Sequence, residues 1–194
     1  MDFMAITHVV KEVTGLHEVP VYFNDMEANC KGSPYFGVGE HCWEIADEEL
    51  LDNPMFELVD FIENKHLKFY HVGIPEKIID QDDGYVFKVV REQFKEKGIN
   101  LHLEERLMEV FIILHEFGHA HELFVSYQGD VEKYLSETTE ENRTASYQIR
   151  AYGLGGTEEG LRVHKSTATE KYADEFALQY IERVAEEAQK QGLL

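Results

Sequence analysis

Residues 115 to 122, His-Glu-Phe-Gly-His-Ala-His-Glu, put three histidines and two glutamates into eight positions of an otherwise apolar stretch. The first five have the spacing HExxH. On a helix, His115 and His119 stand one turn apart and within about 40 degrees of each other round the axis, so both imidazoles can reach one ion. Glu116 lies about 100 degrees round from His115, close enough to reach a water held by that ion. The chemistry this spacing allows is hydrolysis, with the ion polarising a carbonyl and Glu116 taking a proton from water. His121 is on the order of 120 to 160 degrees away from the other two histidines. It cannot easily share their ion and is read as a packing or solvent-edge residue, with Glu122 as a local one.

The plain alternative is a surface helix that happens to carry histidines. Against it, Leu107, Met108, Val110, Phe111, Ile112, Ile113, Leu114 and Phe117 cover nearly every direction round the axis. Such a helix is buried, and polar groups buried on it need partners or a metal. Gly118 fits the same picture: a glycine inside a helix costs about 1 kcal/mol relative to alanine and is tolerated where another backbone packs close.

Two histidines are too few, because catalytic zinc usually takes three protein ligands and a water. The metzincin histidine would fall at Val125, and the glycine of that motif is replaced by Glu122, so that subclass is excluded. The remaining candidates are His164 and the acids of Glu170 to Ala177, EKYADEFA. On a helix Glu170 and Asp174 are one turn apart at the edge of the apolar stripe, whereas Glu175 points to the opposite side. Two carboxylates facing a core are costly unless one binds the metal and the other accepts a bond from a ligand histidine. That favours Glu170 as the third ligand. Thr167 and Glu170 also form a capping box, which would leave Glu170 only to close a helix and leave Asp174 without a role.

The elements that must position these residues follow from periodicity and caps. A first helix runs from about Phe3 to Val13 and stops at Gly15. Val19 to Phe23 reads as a strand, placed by Pro20 at an edge or a strand start. Residues 34 to 51 read as a turn, a strand near Cys42 to Ile45 and an acidic helical turn. A helix from about Met55 to Asn64 and a strand from Leu67 to Val72 come next, and Gly84 to Val90 is ambiguous between strand and helix. A greasy helix spans Leu103 to about Val125. A polar stretch then runs to about Glu137, and a further helix is opened by Thr138 with Glu141 and closed at residues 153 to 156. The last helix runs from near Thr169 to about Gln189, its apolar residues at helical spacing. The chain reads as a single domain over residues 1–194, with a long insertion at about 126–168 between the two zinc-binding helices.

Composition narrows the partners. With 194 residues, 43% hydrophobic and only 4 prolines, the chain should fold. Its 38 acidic against 18 basic residues give a net charge of -20, which repels nucleic acid and anionic membranes and would attract a basic protein substrate. A solvated, soluble surface explains the same charge. The N-terminus has no apolar core of a signal peptide, and no run is long enough to span a membrane. Cys30 and Cys42 indicate no disulfide framework and lack the CxxC spacing of a zinc site, so reduced thiols in a cytoplasm are expected.

HEFGH followed by a helix reading ExxADxFA, here Glu170, Ala173, Asp174, Phe176 and Ala177, resembles the gluzincin metallopeptidases. It is most similar to the ImmA/IrrE family of small cytoplasmic proteins. The resemblance implies a compact zincin-like α+β fold, with a small twisted sheet packed on a buried HExxH helix and further helices. It implies one Zn²⁺ per chain and cleavage of intracellular proteins, notably helix-turn-helix repressors. It makes His115, His119 and Glu170 the zinc ligands, Glu116 the general base, and Asp174 the partner of a ligand histidine. The two motifs cover two short helical pieces, and the family spaces them more closely than this chain does.

A zinc-dependent endopeptidase of intracellular proteins is therefore expected. Its oxyanion needs a donor, which His164, Tyr152 or Tyr172 could supply, and its peptide would pair with an edge strand, assigned to Phe36 to Ile45. The alternative is a non-catalytic, zinc-containing regulatory module that binds a protein partner; a third reading is a zinc hydrolase of small amides. Peptide deformylase is disfavoured, because its site needs a cysteine ligand in a motif absent here.

Overall fold

Asp2 opens the first helix, α1 (Phe3–Thr14), by accepting a bond from the Ala5 N–H at 3.1 Å, and Gly15, at φ 77°, closes it. The computed structural model describes residues 1–42, 66–79, 85–99 and 104–194. After Pro20 the chain enters the short strand β1 (Val21–Phe23). The helix α2 (Met26–Lys31) follows, capped by Asp25 and ended by Gly32. Its one buried residue is Ala28, so there was no apolar stripe to reveal it.

Two longer strands, β2 (Tyr35–Cys42) and β3 (His66–Ile74), complete a sheet of order β1-β3-β2. The central β3 pairs parallel with β1 and antiparallel with β2. Pro20 stands just before the edge strand β1 and accepts the Val72 N–H through its carbonyl at 2.9 Å, in line with the sequence reading. The β2 strand starts at Tyr35, well before Cys42. It overlaps the edge strand assigned to Phe36 to Ile45, although Gly37 and Gly39 break the alternation of side chains by which strands are recognised. Gly37 has a reason of its own: a Cβ there would come within 2.6 Å of the ring of His71, its cross-strand partner. Trp43 to Ile45, the acidic turn after them and the helix expected at 55–64 lie outside the described residues.

The ambiguous stretch before Val90 is helical, within α3 (Tyr85–Glu96), and buries Val89, Val90 and Phe94. The greasy run forms α4 (Glu104–Val125). The following helix, α5 (Val131–Ala151), begins earlier than Thr138 suggested. Asp130 is its N-cap, accepting the Lys133 N–H at 3.0 Å, and the Thr138 hydroxyl bonds back to the Tyr134 carbonyl inside the helix. Glu141 caps a different helix. It accepts the Ala168 N–H at 2.7 Å, at the start of α7 (Ala168–Lys190), which follows the short α6 (Glu158–His164).

The architecture is α+β and mainly helical, with seven helices and one three-stranded sheet among the described residues. Val72 and Ile74 of β3, Ile6, Val9 and Val10 of α1, and Ile181, Val184 and Ala188 of α7 share one core with the apolar residues of α4. The α4 helix touches α7 along much of its length and packs on the sheet and α1 besides. No helix of the described residues is long and apolar enough to cross a membrane.

Where α4 meets α7, Gly118 does what the sequence suggested. A Cβ built on it would lie 2.7 Å from Ala173 Cα and 2.9 Å from the Ala173 carbonyl oxygen, both backbone atoms that cannot swing aside. Gly118→Ala is expected to destabilise the protein by about 1–3 kcal/mol in a urea titration, although alanine is the better helix former. An unchanged or higher midpoint would show that the two helices do not need this approach.

Candidate metal centre

Because α4 and α7 run so close, residues flanking Gly118 on one helix face residues flanking Ala173 on the other. His115 and His119 of α4 and Glu170 of α7 are all buried, and their ligand atoms lie within 4.8 Å of one another. The two imidazole Nε2 atoms are 3.2 Å apart. Glu170 Oε2 is 3.2 Å from His115 Nε2, and Oε1 is 3.4 Å from His119 Nε2. Ligands about 2.0–2.1 Å from a tetrahedral zinc stand about 3.3 Å from one another, so the three separations match the edges of such a site.

The far side of each histidine supports the same fit. His115 Nδ1 lies 2.8 Å from Asp174 Oδ1, and a carboxylate only accepts, so the imidazole donates there and aims Nε2 at Glu170. His119 Nδ1 lies 3.3 Å from Thr169 Oγ1. Phe36 of β2 is stacked on the His119 ring at 6.2 Å between centroids. Both rings are thus held with Nε2 towards the gap they share with Glu170.

Thr167 caps α7 as expected, accepting the Glu170 N–H at 3.4 Å, yet the Glu170 carboxylate turns to the histidines rather than back to the cap. Asp174 accepts three bonds: from His115, from Gln93 Nε2 of α3 at 2.6 Å and from Lys165 Nζ at 2.8 Å. Lys165 also reaches Glu170 Oε2 at 3.5 Å. Neither Gln93 nor Lys165 was legible in the sequence. Gln93 arrives from a distant helix, and Lys165 is a single lysine with no motif round it.

These contacts set the charge states. Burial and the Lys165 ammonium push the His115 pKa down, but the Glu170 charge and the bonds to Asp174 and Glu170 outweigh them and raise it from 6.5 to about 9. Burial alone would raise the two carboxyls. Instead Glu170 is held well below the usual carboxylate range by His115 and its other imidazole neighbours. Asp174 is lowered to about 2 by the His115 bond and by Lys165. The proton on His115 Nε2 stands where an ion would.

Glu116 is half-buried and lines a cleft of about 500 Å³ beside the three candidate ligands. Tyr35, Phe36 and Val38 of β2 form one wall; Leu135 and Thr138 of α5, with Leu161, His164 and Lys165 at the end of α6, form another. The stretch at 126–168 therefore builds part of the cleft. Of the three oxyanion donors named from sequence, His164 lines the cleft, with Nε2 3.3 Å from Glu170 Oε1. Tyr152 does not face it: the residue ends α5 and is 76% exposed. The Tyr172 hydroxyl is bonded to His121 Nδ1 at 2.8 Å, outside the cleft lining. His121 thus packs on Tyr172 and Phe176, as a non-ligand should. Glu122 departs from the sequence reading, since its partner is Thr169 of α7 and not a neighbour on its own helix.

Compared with known proteins, the chain matches no family model, no curated protein and no solved structure.

A metal must displace the His115 proton to bind, because imidazole ligands are neutral. Since the folded pKa lies near 9, apparent zinc affinity should rise by about one log unit per pH unit from pH 7 and level off above 9. Chelator competition across that range measures it; an affinity flat from pH 7 to 9 would show that His115 carries no such proton. For the metal-free protein the linkage has the opposite sense. The contribution of a raised histidine pKa is complete below about pH 6.5 and is lost as pH rises through about 9.

Proposed function

We propose that the chain is a zinc-dependent endopeptidase of the gluzincin type, acting on protein or peptide substrates. The observation that carries the reading is the tetrahedral spacing of His115, His119 and Glu170, with the Glu116 carboxylate beside them in an open cleft. The comparable resemblance to the ImmA/IrrE family rests on the HEFGH and ExxADxFA motifs. A zincin-like arrangement is supported by a small sheet packed against the helix that carries HExxH.

A bound zinc supplies Lewis acidity towards a carbonyl and lowers the pKa of water it holds towards about 7. Glu116 has the proton-handling role. Among the described residues its carboxylate has no hydrogen bond or ion pair, which leaves both oxygens available to a water in the cleft. It takes the proton of the attacking water and returns it to the leaving amine as the C–N bond breaks. His164, which lines the cleft, is the donor assigned here to the developing oxyanion. Asp174 keeps His115 oriented, with Gln93 and Lys165 holding Asp174 in turn.

The outer edge of β2 pairs with no strand among the described residues, and Tyr35, Phe36 and Val38 border the cleft. An extended peptide can add to that edge through main-chain bonds and bring its carbonyl over the metal centre. With a net charge of -20, a basic substrate would approach fastest. A nucleic-acid partner would be repelled, and the cytoplasm is the compartment that fits two cysteines with no disulfide framework.

Hydrolysis of a fluorogenic peptide library by the zinc-loaded protein tests the reading. Glu116→Gln should retain one zinc per chain and the native fold while losing about 10²–10⁴-fold in rate. Chelation should abolish turnover in the wild type, and added zinc should restore it. An active Glu116→Gln variant would sink the mechanism. A wild type that binds zinc and a partner protein stoichiometrically but cleaves nothing would favour a regulatory module.

A further inference from the structure

Glu122 is 7% exposed and lies one turn beyond His119 on α4. A carboxylate so placed is costly unless bonded, and the bond it accepts comes from the Thr169 hydroxyl at 2.7 Å. A hydroxyl has one proton to give and two lone pairs to receive. Thr169 gives its proton to Glu122, so towards its other neighbours it can only accept. Those neighbours are His119 Nδ1 at 3.3 Å and the Tyr134 hydroxyl of α5 at 3.4 Å. The three bonds use the whole capacity of the threonine and leave one arrangement: His119 carries its proton on Nδ1, and its Nε2 lone pair faces His115 and Glu170.

We propose that Glu122 and Thr169 are positioning residues that fix the His119 tautomer for metal binding, as Asp174 does for His115. The inference rests on the metal-binding reading of the site. Asp174 bonds its histidine directly, whereas Glu122 acts through a hydroxyl whose direction it dictates. Without the Glu122 acceptor, the Thr169 proton is free to turn to His119 Nδ1. That selects the other tautomer, with a proton on Nε2 in the place of the ion.

Two measurements test it, one of which needs no metal. Long-range ¹⁵N–¹H correlation on the metal-free protein near pH 8 reports which ring nitrogen of His119 is protonated. The wild type is expected to show Nδ1–H, and Glu122→Met, of similar volume, to show Nε2–H. Chelator competition then measures zinc: Thr169→Val and Glu122→Met should each bind about ten- to a hundred-fold more weakly, and Thr169→Ser, which keeps the hydroxyl, should recover most of the loss. An Nε2–H wild type overturns the proposal whether or not the variants fold. So do Thr169→Val and Glu122→Met proteins with native zinc affinity. A wild type that takes up no zinc while showing Nδ1–H overturns the metal centre itself, and is told apart by that pairing.

Discussion

The close approach of α4 and α7 at Gly118 and Ala173 is the constraint on which the site depends. An added Cβ at Gly118 would come within 2.7 Å of the Ala173 Cα, so the axes can be this near only with glycine on one side and a small residue on the other. Along α7, Glu170 lies three residues before Ala173 and Asp174 directly after it; along α4, His115 lies three residues before Gly118 and His119 directly after it. The side chains that meet across the seam are short, and even a small separation of the helices would break bonds of 2.8 to 3.4 Å. The glycine thus converts a packing detail into a ligand geometry. Phe117, Leu114 and Ile113, fully buried on other faces of α4, keep the helix from rolling.

Burying this many ionisable groups would be unfavourable if they were unmatched. Here they are matched in sign. Glu170 and Asp174 are faced by His115 and Lys165, and each of the two cations touches both carboxylates. The cluster is therefore close to neutral before any ion arrives, with His115 protonated and Lys165 charged. Exchange of the His115 proton for a divalent ion would change the charge by a single step at one nitrogen. A site preorganised in this way would lose little on rearrangement if it took up an ion, because the oriented donors and acceptors are already in place.

The parts legible in the sequence were those written in one helix at a time. His115, Glu116 and His119 follow from a one-turn spacing, and Glu170 with Asp174 from two acids on an apolar stripe. What escaped depends on which helices meet. Glu122 reads as a local residue of its own helix, and its partner lies across the seam in α7. Glu141 reads as a cap of its own helix but caps α7. Gln93 reaches Asp174 from α3, a contact that no local pattern encodes. Gly37 breaks the side-chain alternation in the early part of β2, and its purpose, making room for His71, appears only once β3 is paired beside it.

The segment between the two motif helices is more than a spacer, because both ends of it are tied to the site. Its α5 presents Tyr134 to Thr169 and Glu141 to the first N–H of α7, so it holds the start of the helix that carries Glu170. Its α6 ends at His164 and Lys165, and it is pinned to α3 by Arg162 to Glu92 at 2.6 Å and Lys88 to Glu158 at 2.5 Å. Exposed ion pairs of this kind contribute little to stability, and these two join α6 to α3 at its surface. The same α3 supplies Gln93 to Asp174, so α3, α6 and α7 converge on one carboxylate. A long gap between motifs is thermodynamically cheap, since loop-closure entropy grows slowly with length. Here the gap is filled by two helices that place a cleft wall and a lysine against the His115, His119 and Glu170 cluster.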